Sequence, residues 1–415
     1  MNTLGWIWYE LTRPRGHVRH RFYRVGRSSR AGVALLMVLS SIMLLTILVT
    51  EIAHGATIRI RLAAHHRDEV RAEALAQTGV QLYRLILMAS KQLGRNPMIM
   101  EYGAMMGLNA DTLWQMVPFI NTGLMRMVFV SGGDMDEDDA ARMKAVGLSE
   151  DERDDSREGR RNFLDFDGDF SASIQDESRF IYVGKLQAST FADLLELPAT
   201  QEILGLMAKE EVNDYFFREN IDKMEIIGNL VDWTDPDDVR LYQGGDEVAL
   251  YDKLDSPYKP KNAPFDSIHE VRLVDGWHLD GVWERLGRHM TIYGAGKINV
   301  NTAHRPVMRA ILAAFIEGYT SEQYVDTLLD VLMAARGTPL AEGGIHFSSA
   351  QSFKGWVERE LGVTLKDTVL QAVTTESDVF RIESVGEVGD SRVEIKAIID
   401  YSSNPIGQIV YWKVE

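Results

Sequence analysis

The chain has 415 residues, no cysteine and a formal net charge of −17. The lack of cysteine in the sequence excludes a disulfide framework, a thiolate metal site and a cysteine nucleophile. The length is sufficient for two or three domains, and the excess of acidic residues disfavours binding to nucleic acid and to anionic lipid headgroups, because like charges repel.

The first 32 residues differ from the rest of the chain in charge. They hold seven of the 44 Lys and Arg residues and one of the 61 acids, Glu10, which leaves a net charge of −23 for the remainder. A surface with this charge suits cations or basic partners. We therefore expect the N-terminal stretch and the rest of the chain to lie in different surroundings.

Residues 31–50 carry no charged side chain. Roughly 20 apolar residues in a helix span the hydrocarbon core of a bilayer, which is about 30 Å thick, so we predict a transmembrane helix over residues 33–58. Basic residues beside a membrane span stay on the cytoplasmic side. The sequence thus predicts a single-pass protein whose C-terminal bulk lies outside the cytoplasm.

The basic stretch ends in Gly32, directly before the apolar run. It resembles the leader of a prepilin, and this implies cleavage by a prepilin peptidase between Gly32 and Val33 and methylation of the new N-terminus. Met37 stands at the fifth position after this cut, where most pilins have Glu. Among pilin-like families that difference is typical of the minor pseudopilin K family of the type II secretion system. An ordinary single-pass anchor is the alternative.

Helical periodicity continues beyond the membrane to about residue 93 and ends at residues 94–97, which include a glycine and a proline. We predict one long helix over 33–93 whose outer half lies on a sheet. An apolar seam recurs every three or four residues, and we expect it to pack against helices of partner subunits: Leu75, Gly79, Leu82, Ile86, Ala89 and Leu93. A free coiled coil would show the same seam, but three heptads are too few to favour it.

The next part of the chain is predicted to be a polar loop at 132–161 and strands at 125–130, 170–174 and 179–183. Strand patterns return at 379–388, 391–401 and 408–414, and alternation within 393–398 predicts an antiparallel sheet with one buried face. The acidic runs at 134–139 and 165–169 are interpreted as a solvated run and a turn. The second lacks the sixth-position Gly and twelfth-position Glu of an EF-hand.

Residues 190–288 are predicted to be mainly helical, with helices at 200–209, 212–221 and 224–231. After the last of these helices, carboxylates gather on a Pro- and Gly-rich loop, and more follow about ten residues later: Asp232, Asp235, Asp237, Asp238, Asp246 and Glu247. Hard oxygen ligands of this kind can converge at about 2.4 Å on Ca²⁺. A plain solvated loop is the alternative.

An ordered set of motifs between residues 230 and 303 resembles the helical insert of the same pseudopilin K family. The motifs are LVDWTD, GDE, YKPKNAP, IHEVRLVDG and INVNTA. This resemblance implies structural calcium bound by Asp235, Asp237, Asp246 and Glu247. Asp232 is kept apart from that set, because its side chain can instead cap or pair within the loop.

Residues 298–303 and the helical stretch that ends near 337 also resemble half of a helix-hairpin-helix module. The loop at 315–319 lacks the first hairpin glycine and carries Glu317. Such hairpins hold phosphate through backbone amides, and an acid there opposes that contact. We therefore expect the fold without nucleic-acid binding.

The predicted fold class is α+β. It is a pilin-like fold, with a long N-terminal helix on an antiparallel sheet, interrupted by a large all-α insert of SAM-like or helix-hairpin-helix-like subdomains. The predicted division is a leader (1–32), a transmembrane helix (33–58), the first part of the pilin-like domain (59–186), two insert subdomains (187–293 and 294–376) and the C-terminal strands (377–415).

The family resemblance implies a minor pseudopilin of the bacterial inner membrane with a periplasmic C-terminal domain, placed at the tip of a pseudopilus. The implied partners are the I and J minor pseudopilins, the major pseudopilin, the prepilin peptidase and the inner-membrane assembly platform. The sequence shows no P-loop, zinc spacing or nucleophile elbow, and we expect no enzymatic activity. The alternatives are a minor pilin of a type IV pilus and a single-pass periplasmic binding protein or enzyme.

Overall fold

The computed structural model of the protein describes residues 29–94, 113–125, 167–318, 321–338 and 344–415. The predicted leader up to residue 28, most of the predicted strand at 125–130 and the polar loop at 132–161 lie outside the described residues. The chain divides into two units, residues 1–66 and residues 67–415, and each is described by itself.

The described helices and strands follow in chain order. The helices are α1 (Ser29–Gly94), α2 (Leu113–Met116), α3 (Phe191–Glu196), α4 (Pro198–Met207), α5 (Glu210–Arg218), α6 (Lys223–Thr234), α7 (Val248–Tyr251), α8 (Asp280–Leu286), α9 (Arg305–Phe315), α10 (Glu322–Gly337), α11 (Ala350–Leu361) and α12 (Val369–Ala372). The strands are β1 (Phe119–Asn121), β2 (Asp169–Asp176), β3 (Ile181–Tyr182), β4 (Met290–Thr291), β5 (Ile298–Asn299), β6 (Val373–Thr374), β7 (Val379–Val388), β8 (Ser391–Asp400) and β9 (Gln408–Val414). Short 3-10 helices lie at Glu177–Arg179, Ile268–Leu273 and Gly287–His289.

Helix α1 confirms the predicted long helix and begins four residues before the predicted start. Its first part is apolar on all sides, and the large apolar side chains from Val33 to Ile52 are exposed. In the part of the chain that the structure describes, α1 is the one helix long and apolar enough to cross a bilayer. A helix that is apolar all round and unburied fits a single membrane anchor.

The antiparallel sheet of the second unit has the strand order β1-β2-β7-β8-β9. Alternation of apolar and polar residues gives it one buried face, which includes Phe170, Ile382 and Ile395. The predicted strands at 379–388 and 408–414 have the bounds of β7 and β9. The predicted mixed α and β architecture is therefore present, with the long helix on an antiparallel sheet.

The outer part of α1 packs on this buried face through a narrow stripe of side chains spaced three or four apart: Ala72, Ala76, Val80, Tyr83 and Leu87. Two glycines allow the close approach of helix and sheet. A Cβ atom at Gly386 of β7 would lie against the backbone carbonyl of Ala72, and one at Gly79 would meet Ser384 and Ala172. Small residues on both surfaces thus set the distance between the helix and the sheet.

The structure corrects the predicted partner-helix seam at Gly79, because this residue faces the chain's own sheet. Leu75, Leu82 and Ile86 lie beside it, half-buried against the same core. The side chain of Leu93 lies outside the described residues. The predicted seam is therefore largely the edge of the stripe that packs on the sheet.

The helical insert lies between β2 and β7 and has one continuous core, which runs from Ile181 to Val373. Helices α4 and α9 pack so closely that Gly205 lies against the backbone of Ala310. These two helices belong to the two predicted subdomains, so the division at residue 294 does not separate two cores. The insert core is distinct from the core under α1.

The predicted strand at 179–183 is wrong in length and in partner. Only Ile181 and Tyr182 form a strand, and they pair in parallel with Met290 and Thr291 of β4, inside the insert. The insert core therefore begins before the predicted boundary at 187. A 3-10 helix at Glu177–Arg179 turns the chain out of the sheet and ends β2.

Buried polar groups link the two places where the chain passes between the sheet and the insert, after β2 and before β7. Asp176, at the end of β2, accepts hydrogen bonds from Asn299 Nδ2 at 3.3 Å and from Ser377 Oγ at 2.5 Å. Burial raises the pKa of Asp176, and these hydrogen bonds oppose the rise. The next residue, Glu177, is buried and accepts from Arg381 Nε at 2.5 Å. These hydrogen bonds thus connect β2, the insert and β7 at a single junction.

Candidate functional site

The candidate site lies at the C-terminal end of α6. This helix begins after Asp222, whose side chain accepts hydrogen bonds from the backbone N–H groups of Met224 and Glu225. It ends at Thr234, and the backbone N–H of Asp235, the next residue, donates to the carbonyl of Val231. The last turn is buried, so the carboxylates that it carries are held away from solvent.

The loop after α6 folds back over the end of the helix. Gln243, Gly244 and Gly245 have positive φ angles of 65°, 68° and 104°, and they form the turn that reverses the chain. An isolated bridge joins Val239 to Asp246 across this turn. As a result, Glu247 is brought to the end of α6 and is 1% exposed.

Three carboxylates meet there. Oxygen atoms of Asp232, Asp235 and Glu247 all lie within 4.8 Å of one another. The three residues are 4%, 8% and 1% exposed. Asp232 Oδ1 accepts a hydrogen bond from the backbone N–H of Leu241 at 2.9 Å. Four other oxygens, one from each aspartate and both from Glu247, have no hydrogen-bond partner among the described residues.

The electrostatics of the cluster disfavour three ionised carboxyls. Burial, followed by the charges of neighbouring carboxylates, raises the pKa of Glu247 to about 8. The same causes raise the pKa of Asp235 to about 7, and burial raises that of Asp232 to about 6. The nearby cation Arg240 opposes the rise at Asp232, but its Nη2 donates to Glu225 Oε1 at 2.8 Å. Buried carboxylates without such compensation are costly.

This donor set fits a hard divalent cation. Carboxylate oxygens are the ligands that Ca²⁺ and Mg²⁺ take in proteins, and Ca²⁺ accepts six to eight of them in flexible geometry. A cation would neutralise the mutual repulsion and would satisfy the four oxygens that otherwise lack partners. The cluster is therefore a candidate metal centre on the evidence of its unpaired buried oxygens.

The structure brings together two of the four residues that the sequence indicated. Asp235 and Glu247 belong to the cluster, whereas Asp237 and Asp246 are exposed and lie outside it. Asp237 Oδ1 accepts from the backbone N–H of Val239, and Asp246 Oδ1 accepts from that of Val248, each at 2.9 Å. These two acids shape the loop, while Asp232 takes a place in the cluster. Its spacing of three residues from Asp235 puts both on one face of a helix, a signal that could have identified it.

The sequence motifs that follow α6 pack around Trp233, which lies in the last turn of that helix. Trp233 packs edge-on against Tyr251 and Tyr258, with ring centroids 5.6 and 6.1 Å apart, and stacks on Phe265 at 6.4 Å. Its Nε1 donates to Glu270 Oε1 at 3.1 Å. The separate sequence motifs are therefore parts of one aromatic cluster next to the carboxylates.

The predicted processing residues lie in the first turns of α1. Gly32 and Val33 are exposed, and no atom lies within 4 Å of a Cβ placed on Gly32. The candidate cleavage bond is thus uncovered by any described part of the chain. The preceding residues up to 28 lie outside the described part.

Comparison with known proteins gives a family match that includes this region. Residues 200–295 match the family model for type II secretion system protein K, first domain. A curated relative from Aeromonas hydrophila, named type II secretion system protein K, is 24% identical over 203 residues. That match covers 47% of this chain and 53% of the relative, so the chain spans about half the length of the curated relative that it matches.

A solved structure, the GspK-GspI-GspJ complex from the enterotoxigenic Escherichia coli type 2 secretion system, contains a similar chain. The two chains are 16% identical and have a TM-score of 0.44, with coverage of 60% of this chain and 80% of the other. The family match itself lies within the insert and contains the whole carboxylate cluster. Residues 200–295 are thus similar to the first domain of type II secretion system protein K.

Proposed function

We propose that this chain is a minor pseudopilin of a type II secretion system that caps the tip of the periplasmic pseudopilus and helps to initiate its assembly. The observation that carries the proposal is the position of the family match. Residues 200–295 lie in an insert that interrupts a domain built from one long apolar helix on an antiparallel sheet. The same chain thus combines a membrane anchor, a domain in which a helix packs on a sheet, and an insert that matches the family model.

The proposed role in assembly depends on the apolar part of α1. Met37 is exposed and occupies the position where a pilin carboxylate is expected to pair with the subunit above. An unpaired carboxylate within a bilayer is costly, and a subunit with no neighbour above it has no use for one. The helical insert would add bulk that hinders further addition at this end.

The proposed partners are the I and J minor pseudopilins, with the major pseudopilin below them. The prepilin peptidase would remove residues 1–32 and leave a methylated Val33, and the inner-membrane platform would receive the mature chain. The seven arginines of the N-terminal stretch favour a cytoplasmic N-terminus. The domain after α1 would then be periplasmic.

Intact-mass measurement in a strain with and without its prepilin peptidase tests this function. We expect a mature chain that begins at methylated Val33, and we expect the full chain in the deletion strain together with loss of protein export. An unprocessed Met1 in both strains would contradict the proposal and favour a single-pass binding protein or enzyme. Normal export with loss of a surface fibre would favour the minor pilin of a type IV pilus.

We also propose that Asp232, Asp235 and Glu247 bind a structural calcium ion. The support is their convergence within 4.8 Å and the four carboxylate oxygens left without partners in the described structure. When bound, calcium would supply the positive charge that lets the loop after α6 close over the helix. Apart from the ion, the loop after α6 is held by the turn at 243–245 and by the aromatic cluster around Trp233.

A further inference from the structure

Two histidines of the insert are in direct contact. Nδ1 of His289 and Nε2 of His304 lie 2.8 Å apart, and the centres of the two rings are 4.9 Å apart. His289 is the last residue of the 3-10 helix at Gly287–His289, and His304 comes directly before α9. We call these two residues the histidine pair. They are not part of the carboxylate cluster, and the proposed functions make no use of them.

The histidine pair connects three segments of the chain. The ring of His304 packs edge-on against the ring of Phe180, with the two centres 5.5 Å apart. Phe180 follows the 3-10 helix at Glu177–Arg179, which turns the chain out of the sheet. The start of α9 is therefore held both to the segment that leaves the sheet and to the 3-10 helix that ends at His289.

The bond between the two rings depends on their protonation. A neutral imidazole has one N–H donor and one acceptor nitrogen, whereas a protonated imidazole has two donors and no acceptor. A hydrogen bond between two ring nitrogens therefore requires at least one neutral ring. One added proton leaves the bond possible, and a second one turns two N–H groups toward each other.

The charges that act on the histidine pair are positive. Burial, together with the charges of His304 and Arg288, lowers the pKa of His289 to about 4. Burial, together with the charges of Arg179 and Arg336, lowers the pKa of His304 to about 4, and the backbone of Arg179 opposes this fall. The N-terminal end of α9 adds a partial positive charge beside His304. The surroundings thus favour two neutral rings.

Acidic side chains near His289 do not reverse this effect. His289 lines a cleft of about 760 Å³ whose walls carry charges of both signs. The acids in the cleft are Glu211, Asp214 and Glu284, and the cations besides Arg288 are Lys209, Arg218 and Arg285. With all of these groups present, the pKa of His289 is still lowered to about 4.

The other charged groups at this end of the insert act on arginines. Arg305, the first residue of α9, pairs with Asp330 of α10. Burial lowers the pKa of Arg179, and the charges of Asp176 and Glu177 oppose this fall. The acids therefore compensate arginine charges, and the ring of the histidine before α9 remains under the influence of positive charges.

We propose that the histidine pair is an acid-sensitive switch, which holds the start of α9 against the 3-10 helix and Phe180 and releases it when both rings are protonated. Above the ordinary pKa of histidine, about 6.5, the rings are neutral in the open and in the closed form, and pH has no effect. Below that value the open form binds protons that the closed form excludes, so acid favours opening. The inference does not depend on the capping role, because it concerns contacts within the insert.

The test is hydrogen exchange of the full chain in detergent and EGTA at pH 7.5 and pH 5, with rates corrected for the intrinsic effect of pH on exchange. At pH 5, each histidine that gains its proton only on opening favours the open form by about thirtyfold. In the unaltered chain, the protection of residues 287–308 is therefore expected to fall by about thirtyfold or more on acidification. Little change in this protection would overturn the proposal.

The main variant is His289→Gln combined with His304→Gln. A glutamine amide has both a donor and an acceptor, so it can replace the bond between the rings, and it does not titrate. Protection of residues 287–308 in this variant is expected to be equal at the two pH values. All other titrating groups are shared with the unaltered chain, so a loss equal to that of the unaltered chain would overturn the proposal.

The matched control is His278→Gln, which removes an exposed histidine of the same insert. It is expected to lose protection on acidification as the unaltered chain does, and an abolished loss would contradict the assignment. Nitrogen-15 spectra of labelled histidine in the unaltered chain give a second measurement, which needs no variant. Both rings of the pair are expected to stay neutral at pH 5.5, and two protonated rings with unchanged protection would overturn the proposal.

Discussion

The carboxylate cluster gives a prediction in which a single substitution has opposite effects with and without calcium. The carboxylate oxygens lie within 4.8 Å of one another, and two unit charges at that limiting distance repel by about 3.5 kcal/mol at an effective dielectric constant of about 20. Removing the charge of Glu247 eliminates two of the three repulsions in the cluster. At pH 9, above the pKa of about 8 that burial gives Glu247, Glu247→Gln should therefore raise the melting temperature of the full chain in the presence of a chelator.

With calcium the order is expected to reverse. A ligand at about 100 times its dissociation constant stabilises the folded state by about 2.7 kcal/mol, so calcium should raise the melting temperature of the unaltered chain by several degrees. Glu247→Gln lacks a charged ligand, and its melting temperature should change little. Calorimetry of the unaltered chain and of Glu247→Gln, each in EGTA and in millimolar calcium, measures the four melting temperatures.

The matched control is Asp246→Asn, which removes one charge from the same loop. The side chain of Asp246 lies outside the cluster and accepts from the backbone N–H of Val248, a bond that the amide oxygen of asparagine can keep. Its calcium-induced rise should equal that of the unaltered chain. An equal rise in Glu247→Gln, or a lost rise in Asp246→Asn, would refute the assignment of the ligands.

The pH dependence of the calcium-free chain follows from the same cluster. The pKa values of Asp232, Asp235 and Glu247 are raised to about 6, 7 and 8. The folded chain thus holds protons that the unfolded chain has released, and its free energy of unfolding should fall as pH rises from about 4 to about 8. Calcium binding needs the ionised forms, so the decline should shrink when calcium is added.

The remaining predictions concern stability. Burial without a nearby cation raises the pKa of Glu202 to about 8, so Glu202→Gln should increase the free energy of unfolding at pH 9 by up to about 5 kcal/mol and by much less at pH 5, as measured by urea denaturation at both values. Gly386→Ala places a methyl against the Ala72 carbonyl and should cost about 1–3 kcal/mol, whereas Gly355→Ala, in an open helical position, should be neutral or stabilising. Asp176→Ala leaves the buried donors around it unpaired and should cost about 3–5 kcal/mol. Faster amide exchange at both ends of the insert would accompany that loss.

The elements with a strong local pattern could be predicted from the sequence. Strand β7 follows alternating residues, and α11 begins at a serine cap, with Ser349 accepting from the backbone N–H of Ser352. The long helix α1 was evident from its uninterrupted apolar run. In these cases the signal lies within the element itself, so no knowledge of distant contacts is needed.

The elements that depend on distant partners could not be predicted. Strand β3 has only two residues, and its partner β4 lies more than 100 positions away in the sequence. The carboxylate cluster depends on how the loop after α6 turns, and positive φ angles at Gln243 and its two following glycines decide which acids point inward. Spacing alone indicated six acids in this loop, and folding brought three of them together.

The attachment of the insert has a consequence for how the molecule can be divided. Asp176 and Glu177 take their hydrogen bonds from Ser377, Arg381 and groups inside the insert. A shortened protein in which β2 is joined directly to β7 would lose the hydrogen bonds that Asn299 and Thr302 of the insert donate to Asp176. Transplanting the insert into another host would leave these two donors without an acceptor, unless the host supplies an acid at the position that Asp176 occupies here.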